Sequence, residues 1–257
     1  MSSSFFVLAI SVAAPAADDL ESAKKFNRQA VAHVEAGRDS EAEPLYRQSL
    51  EIAEKILGPE HPEIATMLSA LSETYFRREH FRHAEQLCLR ALQIRRKTLA
   101  PDHADLGRSL SNLAEIHRST GRYGSAETLY RQAIEILEKG LGPTDPAVGV
   151  VVNNLATLHA GLGHFDSAVQ LYERALAIVE RSEDADSRTL TSILNNLALC
   201  YVERKMHRAA EPLLLRALRN ERSIAALENY AIVLRKTKRG RQANEIEREI
   251  RGLRSGQ

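Results

Sequence analysis

Tryptophan is absent, and all aromatic residues together make up only 5% of this 257-residue chain. A single thick core draws much of its buried area from large rings, so this composition suits many thin hydrophobic seams better. No charge sign dominates either: 35 Lys and Arg face 34 Asp and Glu. That balance excludes an overall field favouring nucleic acid or an anionic membrane. The motifs of common chemistry are also missing. There is no G-x-G-x-x-G, no GK[ST] loop, no G-x-S-x-G, no H-E-x-x-H and no C-x-x-C, so no nucleotide, cofactor, metal or nucleophile site is expected and the chain reads as a non-enzyme. Apolar runs stay too short to span a bilayer.

What is present is repetition. A small residue recurs at Ala42, Ala84, Ala126, Ala168 and Ala210 at intervals of 42, and a last step of 33 reaches Ala243. Leu45, Leu87, Leu129, Leu171 and Leu213 form a second column, and Ile52, Ile94, Ile136 and Ile178 a third. Leu71, Leu113, Leu155 and Leu197 form a fourth, each followed by Ser72, Ala114, Ala156 or Ala198. Such periods mark stacked supersecondary units. Cysteine occurs twice, at Cys88 and Cys200, two intervening repeats apart. Packed helices stand roughly 8–10 Å apart, so disulfide geometry is out of reach. Both read as small buried core residues, which leaves the compartment open.

The unit is clearest from Asn153 to Glu180. Leu155, Leu158 and Leu162 make one helical stripe. Ala168, Leu171, Tyr172, Ala175, Leu176 and Val179 make a second. Between them Gly161 and Gly163 permit a positive φ, and Asp166 or Ser167 is expected to cap the second helix. Linkers 57–65, 99–107 and 141–149 join the hairpins: Gly58 and Gly142 suit helix C-caps, Pro59, Pro101 and Pro143 stop helices, and Asp145-Pro146 starts one. His61 and His103 stand where Asp145 and Ser187 do, which predicts an N-cap role. Linker 182–190 keeps Asp186 and Ser187 as caps. Pro44 and Pro212 place the start of their helices no earlier than about Glu41 and Ala209, unless the helices bend. Six hairpins account for nearly all residues after about 18. The last helix has a narrow stripe of Ala243, Ile246 and Ile250 and a polar outer face, as a solenoid cap requires.

These hairpins, with A-x-x-L-Y-x-x-A-L in the second helix, resemble the tetratricopeptide repeat. The 42-residue period narrows the likeness. Asn112-Leu113-Ala114, Gly121-Arg122-Tyr123, Ala126-Glu127, Leu129-Tyr130 and Leu141-Gly142-Pro143 are similar to the kinesin light chain type of repeat, as are residues 57–62 and Asn195-Asn196-Leu197-Ala198. About 18 residues precede the first hairpin and read as a leader, so the expectation is a relative in repeat type and not a motor subunit. The fold implied is all-α, a right-handed superhelical solenoid of about six tetratricopeptide-type hairpins over residues 18–257. The function implied is a non-catalytic scaffold or adaptor that holds an extended peptide segment of a partner in a concave groove. The rival reading is a peptide-sensing regulatory solenoid that controls a partner enzyme.

Asparagines are the main site candidates. Asn112, Asn154, Asn196 and Asn229 hold one register on the first helices, and Asn153 and Asn195 precede two of them. Asn is a mediocre helix former, and its amide both donates and accepts, so it can pair with a peptide backbone of any sequence. Hydrogen bonding between neighbouring repeats is the competing reading. Arg108 and Arg118 join them as candidate groove residues. Lys24, Arg28 and Arg77 add positive charge, offset in part by Glu35, Glu73 and Glu115, while Val150, Thr157, Ala160, Leu199 and Val202 bring amphipathic or apolar surface. His33, His117 and His159 share a column with Tyr75 and Tyr201, which predicts packed rings with one polar tip. The partner expected is a protein or peptide, with no nucleic acid and no stable membrane span.

Residues 1–17 read as a signal peptide or an unstructured leader. An apolar run from Phe5 to Val12 leads to Ala14-Pro15-Ala16, which fits an A-x-A cleavage site, although no Lys or Arg precedes Phe5. An exported protein is expected if this leader is cleaved, a cytoplasmic one otherwise.

Overall fold

The structure, a computed structural model, describes residues 17–182 and 187–255. The leader and Asp186 therefore lie outside the described residues. Among those described there are twelve helices and no strand: α1 (Ala17–Glu35), α2 (Asp39–Leu57), α3 (Pro62–Arg77), α4 (Phe81–Thr98), α5 (Ala104–Ser119), α6 (Tyr123–Leu141), α7 (Pro146–Gly161), α8 (Phe165–Val179), α9 (Ser187–Glu203), α10 (His207–Asn220), α11 (Ile224–Lys236) and α12 (Gly240–Ser255). They pair in order into six hairpins, the helical repeat solenoid that the periodicity predicts.

The chain divides into two compact units, residues 1–98 and 99–257. In the first, α1 packs on α2, α3 on α4, and α2 bridges to α3. In the second, α5 to α12 pair as four hairpins, and the first helices α5, α7, α9 and α11 also touch one another in sequence.

The alanine column explains the close approach within hairpins. Ala42, Ala84, Ala126, Ala168, Ala210 and Ala243 are fully buried, so a larger side chain there would push helices apart. Leu71, Leu113, Leu155 and Leu197 retain at most 4% of their surface. In the second unit, Ala156, Ala168, Val169, Tyr172, Leu197 and Cys200 form one seam shared by consecutive hairpins. Both cysteines are free and buried; burial pushes the Cys88 thiol up to about 12 and the Cys200 thiol up to about 11. Across second helices Arg90 pairs with Glu54, Arg174 with Glu138 and Arg216 with Glu180, half-exposed contacts that add little each.

The linker caps form as expected. The backbone N–H groups of Glu63 and Asp105 donate to Nδ1 of His61 and His103, each at 3.2 Å, and that of Ala147 donates to Asp145 Oδ1 at 2.8 Å. Gly58 and Gly142 follow their helices with φ of 87° and 92°.

Three expectations are corrected. Helix α8 starts at Phe165 after His164, with no side-chain cap, so Asp166 and Ser167 lie inside its first turn. The tight turn fixes this start: Gly163 N–H donates to Ala160 O and His164 N–H to His159 O. Ser187 lies within α9 (Ser187–Glu203) and is not its cap. Helices α2 and α10 begin at Asp39 and His207, two residues earlier than Pro44 and Pro212 suggest. Each proline is thus the sixth residue of its helix, and the Ser40 and Arg208 carbonyls forgo the donor that proline lacks.

Candidate functional site

The asparagine candidates, Arg108 and Arg118 fall in the unit of residues 99–257, on helices α5, α7, α9 and α11. The repeat aligns them in rows. Asn112, Asn154, Asn196 and Asn229 make the central row. Arg108, Val150, Ser192 and Ala225 lie one turn before it, and Glu115, Thr157, Leu199 and Ile232 one turn after. This face reaches solvent: Asn112, Arg108, Val150, Ser192, Ala225 and Ile232 are exposed, and Asn154, Asn196, Asn229, Thr157 and Leu199 are half-buried. Its chemistry changes along the unit. Charge gathers at α5, amides run through the middle, and aliphatic side chains gather at α9 and α11.

The asparagines divide into two kinds. Asn229 Nδ2 donates to Asn195 Oδ1 at 2.7 Å, joining two first helices. Asn153 Nδ2 makes only a long 3.4 Å contact to Asn154 Oδ1, and Asn153 Oδ1 is buried without a partner. Among the described residues no hydrogen bond engages the amides of Asn112 and Asn196. The row thus has a scaffold rung at one end, while the amides at α5, α7 and α9 hold no bond to another helix, Asn154 Oδ1 accepting only the long contact from Asn153.

The arginines are less available than their charge suggests. Arg108 pairs with Asp105 at 2.9 Å. Arg118 Nε donates to Glu115 at 3.0–3.1 Å, and Tyr130 Oη donates to Glu115 Oε2. Burial would raise the Glu115 carboxyl, but the hydrogen bonds from Arg118 and Tyr130 outweigh it and hold the group below its ordinary 4.5. Burial and the Glu115 charge push the Tyr130 phenol far above its ordinary value. In the first unit, Lys24 pairs with Glu21 and Arg77 with both Asp39 and Glu73. The expected basic character is therefore largely neutralised locally. Val202, expected on the groove surface, is buried. Thr157 shares a 2.9 Å hydrogen bond with the Tyr172 hydroxyl, which fixes its orientation.

In the His/Tyr column the ring tips of Tyr75, Tyr201, His33 and His159 approach glutamates. Tyr75 donates to Glu43 and Tyr201 to Glu173, both at 2.7 Å. His33 Nδ1 lies 2.9 Å from Glu41 Oε2, and His159 Nε2 lies 3.5 Å from Glu127 Oε1. Among the described residues no group of three or more His, Cys, Asp or Glu is placed to hold a metal ion. None of the described helices is long and apolar enough to cross a membrane.

The model of the tetratricopeptide repeat matches residues 21–87, 83–139 and 148–223. The chain belongs to the tetratricopeptide repeat family. Tetratricopeptide arrays generally mediate protein–protein interaction and are typically non-catalytic scaffolds. The crystal structure of BtubC (BKLC) from P. vanneervenii is similar, with a TM-score of 0.66 and 25% identity, over 79% of this chain and 88% of that one. A putative kinesin light chain with nearly identical tetratricopeptide-like repeats from Podosopora anserina gives 0.63 at 24% identity, over 80% of this chain and 99% of that one. The pilF protein of Pseudomonas aeruginosa shares the fold at 0.65 and 14% identity, over 93% and 95%. No curated protein sequence matches this one. The light-chain type of repeat read from the 42-residue period thus recurs among the structural neighbours.

Proposed function

We propose that this tetratricopeptide protein is a non-catalytic adaptor, and that the first-helix face of its C-terminal unit binds an extended segment of a partner protein. The amides of Asn112, Asn154 and Asn196, none of them bonded to another helix, carry the reading: three side chains in one register, each able to donate to and accept from a peptide backbone. Neighbouring Val150, Leu199 and Ile232 supply apolar contact that would exclude water from those hydrogen bonds. An ordered, repeated donor–acceptor row suits an extended chain, whose own backbone groups also recur regularly.

The test does not require the natural partner. A peptide selected on the full chain from a random display library is remade with single backbone N-methyl groups, each of which removes one donor. The proposal expects methylation at two or more positions to weaken binding more than alanine replacement of the same residues. Binding that tolerates every N-methyl group but depends on side chains would contradict it.

A further inference from the structure

The turns inside hairpins five and six bring five exposed cations together. Elsewhere in residues 99–257, arginines and lysines repeatedly meet carboxylates: Arg108 with Asp105, Arg131 with Glu127, Lys139 with Glu135, Arg222 with Glu249. At these two turns Arg204 pairs with Asp166 and Arg239 with Glu211. That leaves Lys205, Arg208, Lys236, Lys238 and Arg241, which are exposed and for which no ion pair forms among the described residues. Against these five cations, two nearby acidic side chains, Glu203 and Glu245, are exposed and make no ion pair among the described residues. The two turns face each other. Lys205, Met206, His207, Arg208 and Ala209 of one and Thr237 of the other line an open cavity of about 460 Å³. Met206 in its wall is 43% exposed.

Backbone conformation gives an independent sign. Gly37, Gly121 and Gly163 hold the left-handed residue of their hairpin turns, with φ of 70° to 77°. At the same repeat position stand Lys205 and Lys238, with φ of 60° and 62°. Glu79 holds it in hairpin two. A side chain with a Cβ is disfavoured there and glycine is the default. Both non-glycine occupants in the second unit are lysines; Lys205 lines the cavity and Lys238 directly follows Thr237, which also lines it. An unfavourable backbone retained at a charged cluster points to use of the side chain.

We infer that this edge is a second docking surface, distinct from the amide row, and that it takes an acidic segment of a partner protein carrying an aliphatic side chain between its carboxylates. The cations complement the carboxylates. The cavity walled by Met206 and Ala209 receives the aliphatic group, because a concave apolar site accepts a knob. A bilayer would need a protruding apolar group, and single-stranded nucleic acid would need an aromatic stacking platform, whereas the cavity lining holds Met206, Ala209 and Thr237 between its basic residues.

The probe is a labelled peptide of about twelve residues built from Asp-Leu-Glu repeats, measured on the full chain. Comparison probes are the same peptide with Ser for Leu, phosphatidylglycerol vesicles, and a single-stranded oligonucleotide. The expected result is binding of the Leu peptide that falls roughly tenfold or more between about 50 and 300 mM salt. Lys205→Gly with Lys238→Gly should weaken it roughly tenfold or more without lowering the melting temperature, because glycine relieves the left-handed turns. Asn154→Ala with Asn196→Ala should leave it unchanged, which separates this edge from the amide row. Equal binding by the lysine variant, equal binding of the Ser peptide, or tighter binding to vesicles or oligonucleotide would overturn the inference.

Discussion

Asn229 reaches across from α11 to donate to Asn195 on α9 at 2.7 Å, while Asn153, one repeat before Asn195, keeps its Oδ1 buried and unpartnered. Two residues in the same repeat position thus differ in whether the scaffold satisfies them. Removing the donor should strand the Asn195 acceptor, so Asn229→Ala is expected to cost about 1–3 kcal/mol. Asn153→Leu removes an unsatisfied buried group at nearly constant volume and should not destabilise. Chemical denaturation of both variants checks this, and equal losses would show that the two sites are equivalent after all.

Leu155 retains 2% of its surface and sits in the column of Leu71, Leu113 and Leu197. Leu155→Ala should cost about 2–5 kcal/mol, the transfer loss plus a cavity between hairpins. A thermal melt indistinguishable from that of the wild type would contradict the packing register.

Glu115 links stability to pH. Its folded carboxyl lies below the ordinary 4.5 because Arg118 and Tyr130 outweigh burial. A depressed carboxylate contributes stability above its unfolded value and loses it as pH falls through the folded one. Glu115→Gln should therefore be less stable than wild type at neutral pH, and the gap should narrow at pH values below 4.5. Urea midpoints measured across that range give the answer; a gap independent of pH would remove Glu115 as its source.

Two helical glycines should respond oppositely to alanine. A Cβ at Gly140 would stand 2.1 Å from the Asp102 carbonyl oxygen, whereas one at Gly161 meets nothing within 4 Å. Gly140→Ala should destabilise by about 1–3 kcal/mol through forced backbone movement, and Gly161→Ala should stabilise by up to about 1 kcal/mol. Differential scanning calorimetry of the pair decides the matter, and a shift of the same sign in both would count against the close approach at Gly140.

Export remains a proposal resting on residues 1–17 of the sequence. N-terminal sequencing of protein from its native host should find a chain starting near Ala17. An intact Met1 or Ser2 would contradict cleavage of this leader.

Much of the fold is legible because each alanine and leucine column has one structural reason, close helix approach or burial, repeated in every hairpin. The caps at His61, His103 and Asp145 are legible because an acceptor two residues before a helical N–H is a local pattern. The start of α8 is not, since backbone bonds from Gly163 and His164 set it and Asp166 looks equally suited. The loss of Arg118 and Arg108 to their own helices had a visible signal in Glu115-x-x-Arg118 and Asp105-x-x-Arg108, spaced to pair. Bonding between neighbouring repeats is legible as one of two readings of the asparagines, but that Asn195 and Asn229 are the pair that makes it depends on the axial offset between successive first helices. The lysines at the left-handed turn positions occupy a glycine column that the sequence shows, but their meeting around one cavity requires the stacked hairpins.

On the proposed function, the amides of Asn112, Asn154 and Asn196 bind a partner and do not hold the scaffold together. Asn154→Ala with Asn196→Ala tests it most directly, with melting temperature and affinity for the display-selected peptide measured on the same preparation. Alanine is the better helix former, and neither side chain holds an inter-repeat hydrogen bond among the described residues, so the melting temperature should hold. Each lost backbone contact removes about 0.5–1.5 kcal/mol, so affinity should fall by roughly tenfold or more. A clear drop in melting temperature with affinity unchanged would contradict the account and make these asparagines part of the scaffold.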